Sequence, residues 1–200
     1  QTSSRHQISI LLFDTDSKNG KVLQTELSCY GYQVLARLDI STSLLAGVEL
    51  HKPDIVMLSI QVLNKDIIVD MQALNNADPH PIVIFAEQDA PQIIEQAINA
   101  GVSAYVVDDI QPHRLSPIIN VAIARFSELR KIKNELEQSN SKLAGRKIID
   151  KAKGLMMEKK NISEDDAYKH LRKMAMDKGE SLEKTAQNII DVLSMFDASA

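Results

Sequence analysis

The sequence has few of the residues that cross-link or anchor a protein. Its 200 residues include one cysteine and no tryptophan, and aromatic residues make up 4%. A single cysteine excludes a disulfide within the chain and a cysteine-based metal cluster, so we expect Cys29 to pack in a helix as a small apolar residue. No apolar run approaches the roughly 18 residues of a membrane span, and nothing before the first apolar run resembles a signal peptide. We therefore expect a soluble, cytoplasmic protein with no membrane partner.

The usual sequence signs of an enzyme are missing as well. No nucleophile and base stand at a recognisable spacing, no set of residues has metal-ligand spacing, and no glycine-rich phosphate loop is present. The sequence therefore predicts a protein that is not an enzyme and has no cofactor, no catalytic residue and no metal. Because 44% of its residues are hydrophobic, the chain can still bury one or two cores of ordinary size.

Charge is distributed unevenly along the chain. The formal net charge is −4, and residues 1–127 hold eight Lys/Arg against fourteen Asp/Glu. Residues 128–200 hold fifteen against thirteen, and residues 142–178 alone hold eleven against six. This difference indicates two parts with different partners. The basic part could bind a phosphate backbone, although an ordinary solvated helix face has the same composition.

The first hundred residues alternate short apolar runs with helix-length segments. The runs have the length of strands, and their near-continuous apolar character is typical of parallel strands covered on both faces. This alternation predicts an α/β fold, with a five-stranded doubly wound parallel sheet in the flavodoxin-like order 2-1-3-4-5. The predicted strands are 8–13, 34–38, 55–58, 82–85 and 105–107, and the predicted helices lie near 17–30, 41–51, 65–76 and 91–100.

From about Pro112 onward the pattern is helical. Apolar residues spaced by seven from Leu115 onward predict a coiled-coil helix, interrupted at Arg125 and Ser139. We expect the helix to form a homodimer, with packing on the chain's own sheet as the alternative, and Gly145 to mark a flexible point. The predicted dimer seam consists of Leu129, Ile132, Leu136 and Leu143.

Two further helices are predicted after this long one. Apolar residues recur at helical spacing on both sides of a turn at Asn161 and Ile162, with Ser163 as a cap and Gly179 as a stop. Ser181 is expected to cap the last helix, so that an all-α three-helix bundle forms. The predicted domains are the sheet domain at 1–117, the coiled-coil dimerisation helix at 118–145 and the bundle at 146–200.

A set of short motifs runs through the bundle over about fifty residues: Arg146, 152–156 (AKGLM), 162–164 (ISE), 167–168 (AY), 171–172 (LR), 175–176 (AM), Ala186 and 189–190 (II). At these residues, without a gap, the bundle resembles the ANTAR domain, which is the RNA-binding module of AmiR- and NasR-type transcription antiterminators. The resemblance implies binding to tandem stem-loops in nascent leader mRNA, which keeps the competing terminator hairpin from forming.

Loop bases are the readable part of such an RNA, because an A-form stem hides its base edges in a deep groove. Basic residues at helical spacing share one side of each predicted helix in the bundle. Tyr168 lies on the apolar stripe, so we expect it in the core, with stacking on a base as the alternative. The candidate RNA contacts are Arg146, Lys147, Lys153, Lys169, Arg172 and Lys173.

Asp14 follows the first predicted strand, Pro53 and Asp54 open the third, and Asp89 lies after the fourth, while Gly101 ends a helix and Tyr105 lies in the fifth strand. At these residues the sheet domain resembles a response-regulator receiver domain. A working receiver has a nucleophilic aspartate at the end of strand three, an acidic pair that holds Mg²⁺ after strand one, a hydroxyl after strand four and a lysine after strand five. Only one acid of the pair, Asp14, is retained here. The residues at the corresponding positions of this sequence are Asp14, Thr15, Ser59, Ala86 and Asp108.

These replacements remove the chemistry of a working receiver. Loss of carboxylates weakens a Mg²⁺ site, Ser59 is a poor nucleophile without a base, and Asp108 would repel a phosphoryl group. The sequence therefore predicts a pseudo-receiver without aspartyl phosphorylation, with a weak metal site at Asp14 and Asp16 as the alternative. The resemblance implies control by a ligand-sensing regulatory protein. The chain looks similar to NasT-type nitrate-assimilation regulators, whose partner is a nitrate or nitrite sensor.

Two other functions remain open at the level of the sequence. A DNA-binding response regulator would use the helical part in a major groove, but a long coiled coil followed by three helices fits that less well. A pure protein-interaction adaptor is disfavoured by the basic excess.

Overall fold

The chain folds into two compact units, residues 1–130 and 131–200. The structure is a computed structural model that describes residues 7–15, 18–107 and 111–197, without the side chains of residues 18, 19 and 195–197. Asp16 and Asp108, both named above, lie outside the described residues. No helix in the described ranges is long and apolar enough to cross a membrane.

Five parallel strands form one sheet in the first unit. Their order is β2-β1-β3-β4-β5, which confirms the predicted topology. The three inner strands are buried along almost their whole length, and this is why they stand out in the sequence as continuous apolar runs. The strands are β1 Ser9–Asp14, β2 Gln33–Asp39, β3 Ile55–Ile60, β4 Ile82–Ala86 and β5 Ala104–Val107.

Helices cover both faces of this sheet. One apolar cluster joins the sheet to α2, α3 and α4, and a second joins its other face to α1 and the first turns of α5. The doubly wound fold predicted from the βα alternation is therefore confirmed. The helices of the described chain are α1 Lys18–Cys29, α2 Leu44–His51, α3 Lys65–Ala77, α4 Pro91–Asn99, α5 Pro112–Lys160, α6 Glu164–Lys178 and α7 Leu182–Asp197.

The structure corrects three expectations about single residues. Leu115 and Ala122, expected at the start of the coiled-coil series, are fully buried in the core of the first unit. Their spacing of seven serves packing on the sheet, so the exposed seam begins further along α5. Gly145 does not interrupt the helix, because α5 continues through it to Lys160. Cys29 is exposed at the end of α1 and is not packed.

The second unit is a helical bundle built from the end of α5, α6 and α7. Its core consists of small and medium apolar side chains, and the caps predicted from the sequence are confirmed. Ser163 Oγ accepts a hydrogen bond from the backbone N–H of Asp166 at 3.2 Å, and Ser181 Oγ accepts one from Lys184 at 3.2 Å. Gly179 is the left-handed C-cap of α6. The buried apolar cluster at its centre consists of Ala152, Met156, Ala167, Leu171, Ala186 and Ile190.

A hydrogen-bonded clasp joins the beginnings of the two central strands in the first unit. Asp54 Oδ2 accepts hydrogen bonds from the Ser9 backbone N–H and the Ser9 hydroxyl, both at 2.7 Å. The Asp54 backbone N–H in turn lies 3.0 Å from Ser9 Oγ. The clasp fixes the register of β1 against β3, and this register determines which side chains meet at the opposite edge of the sheet.

We predict that Ser9→Ala lowers the free energy of unfolding of the first unit by about 1–2 kcal/mol, because a partly buried carboxylate loses a charge-assisted donor. Hydrogen exchange of the slowest amides in β1 and β3 of the full chain measures this change. Ser28→Ala is the matched control, since the Ser28 hydroxyl only donates to the Gln24 carbonyl at 2.9 Å on the exposed side of α1. Equal protection in the two variants would contradict the role of the clasp.

Candidate nucleic-acid interface

The outer side of α6 carries basic and aromatic side chains. Lys169, Arg172 and Lys173 are exposed there, while the opposite side of the helix is buried in the bundle. Tyr168 and Met176 stand four residues before and after Arg172, so the three side chains follow one line along the helix. The structure therefore brings three of the candidate RNA contacts together on one surface.

The charges on this surface differ in how far they are already neutralised. Lys169 Nζ lies 2.8 Å from Asp165 Oδ2 one turn earlier, and the hydrogen bond that Lys169 donates to this carboxylate raises the Lys169 pKa. Arg172 and Lys173 form no ion pair within the described part of the chain. Of the three cations on this surface, these two therefore have the positive charge that is most available to an external anion.

Tyr168 is placed differently from the sequence expectation. It was expected in the core, but its side chain is 41% exposed. The buried stripe of α6 is carried by Ala167, Leu171 and Ala175, which leaves Tyr168 at the edge of the stripe. An exposed aromatic ring beside Arg172 offers a flat surface on which an unpaired base could stack.

Lys153 is engaged within the protein. Its ammonium lies 2.8 Å from Asp150 on α5 and 2.8 Å from Glu164 at the beginning of α6, and the side chain is only 15% exposed. The hydrogen bonds that Lys153 donates, first to Asp150 and then to Glu164, raise the Lys153 pKa, so the group stays charged. Lys153 thus links α5 to α6, and two carboxylates already balance its charge.

The end of α5 adds a second basic surface. Arg146 and Lys147 are both exposed, as the prediction of RNA contacts requires. Lys151, one turn after Lys147, is also exposed and was not among the predicted contacts. Its position four residues after Lys147 was the signal that could have identified it, because residues at this spacing share one side of a helix. None of these three cations forms an ion pair within the described ranges.

The predicted dimer seam lies on the exposed surface of α5. Each of its four side chains leaves more than half of its area open in the single chain, and no charged residue stands between them on that side of the helix until Arg146. Exposed leucines at heptad spacing are typical of a helix that packs against another helix. The exposed fractions are 60% for Leu129, 54% for Ile132, 58% for Leu136 and 54% for Leu143.

The degenerate receiver residues meet at the carboxyl edge of the sheet. The strand register pairs Asp14 with Ser59, and Ala86 ends β4 beside Ile60. Asp14 and Ser59 are buried, whereas Thr15 is exposed directly after β1. Across residues 7–15, 18–107 and 111–197, no group of three or more His, Cys, Asp or Glu residues could hold a metal ion.

Sequence reasoning missed the cation that occupies this edge. The Arg37 guanidinium of β2 pairs with both carboxylate oxygens of Asp14, through Nε to Oδ2 and through Nη2 to Oδ1 at 3.4 Å. Asp14 also lies against α1, where a Cβ at Gly20 would stand 1.6 Å from Asp14 Oδ2. The positive charge of Arg37 therefore contacts Asp14, which stands at the position of an acid that holds Mg²⁺ in a working receiver. No sequence motif signals this pair, because it depends on the side-by-side placement of β1 and β2.

Both units are similar to parts of known proteins. Residues 137–190 match the family model of the ANTAR domain. The transcriptional regulatory protein PdtaR of Mycobacterium tuberculosis is 28% identical over 163 residues, which are 82% of this chain and 80% of that protein. The aliphatic amidase regulator of Pseudomonas aeruginosa is 28% identical over 54% of this chain and 56% of its own length.

Two further similarities concern single parts of the chain. The nitrate regulatory protein of Klebsiella oxytoca is 33% identical over 34% of this chain and 17% of its own length. The solved receiver domain of the response regulator NarL from Mycobacterium tuberculosis superposes with a TM-score of 0.52 and 18% identity over 58% of this chain and 96% of that domain. At this identity the last similarity shows the fold alone. The chain therefore carries an ANTAR domain over residues 137–190, preceded by a domain with the receiver fold, and over most of its length it is similar to a transcriptional regulatory protein.

Proposed function

We propose that the chain is a transcription antiterminator that binds tandem stem-loops in nascent leader mRNA through its ANTAR domain. The observation that carries this proposal is the α6 surface, where the exposed ring of Tyr168 lies one turn before Arg172 on the same line of the helix, and Lys173 adds a second exposed charge without an ion pair in the described chain. Cations bind phosphates and an exposed ring stacks on an unpaired base, and a hairpin loop presents both groups close together.

The basic side chains contribute unequally to this proposed contact. Four of the cations are exposed and have no ion pair within the described residues, so their full charge can act on the RNA: Arg146 and Lys147 on α5, and Arg172 and Lys173 on α6. Lys169 must share its charge with Asp165, and Lys153 with Asp150 and Glu164. We therefore expect Lys153 to contribute mainly by holding α6 against α5, and Lys169 to be a weaker contact than Arg172.

We further propose that two copies of the chain act together. A tandem pair of stem-loops offers two equivalent sites, and a dimer of ANTAR domains binds both with a higher effective concentration than separate chains. The exposed leucines of the seam supply the apolar surface for such a dimer. Charged residues flank the seam, as in helices that pair specifically.

Control is proposed to come from a ligand-sensing partner protein and not from phosphorylation. Ser59 stands at the phosphoacceptor position, and Arg37 pairs with the one retained acid of the Mg²⁺ site. The similarity to a nitrate regulatory protein supports nitrate or nitrite assimilation genes as the target and a nitrate or nitrite sensor as the partner. The partner would act on the ANTAR surface or on the dimer seam.

Arg172→Ala is expected to weaken binding to a tandem-hairpin leader RNA by about 1–3 kcal/mol, because an open guanidinium is lost from the contact surface. Fluorescence anisotropy at fixed salt measures the affinity, and duplex DNA of the same sequence is the second ligand. Lys131→Ala removes one exposed positive charge from α5 away from the bundle and is the control. Tighter binding of wild type to the duplex than to the RNA would favour a DNA-binding response regulator instead.

Leu136→Asp is expected to abolish self-association, because it places a charge in the centre of the apolar seam. Sedimentation velocity at micromolar concentration compares the variant with wild type. Ser141→Asp adds the same charge to an exposed residue of α5 that lies outside the seam, so it should leave the dimer intact. A wild-type chain that sediments only as a monomer would refute the proposed dimer.

Ser59→Asp alone is not expected to restore Mg²⁺ binding, although it adds a second carboxylate beside Asp14. The Arg37 guanidinium still pairs with Asp14 and repels a divalent cation. Calorimetric titration with MgCl₂ measures this, and the double variant Ser59→Asp with Arg37→Ala should bind more tightly than either single variant. Millimolar Mg²⁺ binding by wild type, or a phosphate adduct on Ser59 by mass spectrometry, would contradict the proposed mode of control.

A further inference from the structure

Gly154 is an exposed glycine in the interior of a helix. It lies in α5, more than one turn before the helix ends at Lys160. Glycine destabilises a helix interior relative to alanine, because it loses more backbone freedom on folding. A Cβ added to Gly154 would meet no atom within 4 Å. Nothing in the described part of the chain therefore accounts for the missing side chain.

Gly145 in the same helix provides a direct comparison. A Cβ at Gly145 would stand 2.9 Å from Cγ of Glu183 on α7, so a side chain of the protein occupies the space outside that glycine. The space outside Gly154 is open. If another molecule binds close to the helix backbone at Gly154, that molecule would explain why this position has no side chain.

The surroundings of Gly154 indicate the chemistry of this molecule. Lys151 and Lys147 lie one and two turns before it on the same side of α5, and both are exposed. Asp150, also on this side, is paired with Lys153 at 2.8 Å. Glu158 follows one turn later and limits the favourable region to the stretch that ends at Gly154. The open positive charges favour a polyanion.

A second copy of the chain fits this surface less well. The apolar seam ends at Leu143, and the next residue in the same heptad position is Asp150. In a parallel pair of α5 helices that continued the heptad, Lys147 at position e of one copy would lie opposite Lys142 at position g of the other, and the two like charges would repel. The charges thus favour a nucleic acid over a second helix as the occupant.

We propose that Gly154 is the point where the sugar-phosphate backbone of a bound RNA comes closest to α5, with Lys147 and Lys151 contacting successive phosphates. The proposal rests on the RNA-binding function proposed above and extends its α5 contact from Arg146 and Lys147 to Lys151 and Gly154. Without a Cβ, the ribose and phosphate can reach van der Waals contact with the helix backbone. A methyl group at this position would hold them away from both lysines.

The test uses the full chain and a pool of tandem-hairpin RNAs with randomised loops, enriched beforehand on wild type. Gly154→Ala should raise the melting temperature of the ANTAR unit by roughly 4 °C while weakening RNA binding about tenfold. Ser141→Ala is the matched control, because it also improves helix propensity at an exposed residue of α5. It should raise the melting temperature slightly and leave the affinity unchanged.

A misfolded variant would lose both thermal stability and RNA affinity. Because Gly154→Ala is expected to gain stability while losing affinity, misfolding cannot produce the expected result. Wild-type affinity in Gly154→Ala would overturn this proposal and leave the proposed function standing. If wild type itself enriches no RNA from the pool, the proposed function fails and this proposal fails with it. A loss of self-association in Gly154→Ala at unchanged RNA affinity would assign the glycine to contact between copies of the chain, which also overturns the proposal.

Discussion

The burial of apolar surface along α5 is the constraint on which the rest of the structure depends. Its first turns bury Leu115, Ile119 and Ala122 against the sheet, and its last turns bury Ala152 and Met156 in the bundle. One helix thus completes two separate cores. Between these regions the apolar residues stay exposed, because no other part of the described chain covers them. The receiver-like domain and the ANTAR domain therefore each need α5 to complete their fold, and the middle of α5 is left for a partner.

Some charged side chains of the protein are paired with each other and stabilise the fold, whereas others have no ion-pair partner in the described chain and can bind a ligand. Arg37 and Asp14 neutralise one another at the edge of the sheet, and Lys153 is held between Asp150 and Glu164. A charge with partners on two sides gains little from a new ligand, because binding must first break contacts of similar strength. The cations of the bundle that have no such partners lie on α5 and α6, and there a phosphate gains the whole interaction.

Much of the fold could be predicted from the sequence, because buried parallel strands, caps and helix stops are local patterns. The site was predicted less completely, for reasons that lie in tertiary contacts. Leu115 and Leu136 obey the same heptad spacing, although one packs on a sheet and the other is exposed. Lys153 looks like any basic residue until the beginning of α6 is placed beside it. Arg37 carries no motif, because its role arises only when β2 lies next to β1.

The two domains differ in how many of their charged groups already have partners within the protein. This difference indicates where a regulatory partner could bind. At the sheet edge the acid that would respond to a phosphoryl group or Mg²⁺ already has an internal cation, so a ligand there would have to displace Arg37. On α5 and α6 the exposed leucines and open cations have no partner within the described chain. A regulator gains binding energy only where surface is still open. The control proposed above therefore has its physical opportunity on the helical part, where a partner could cover the seam or the basic surfaces.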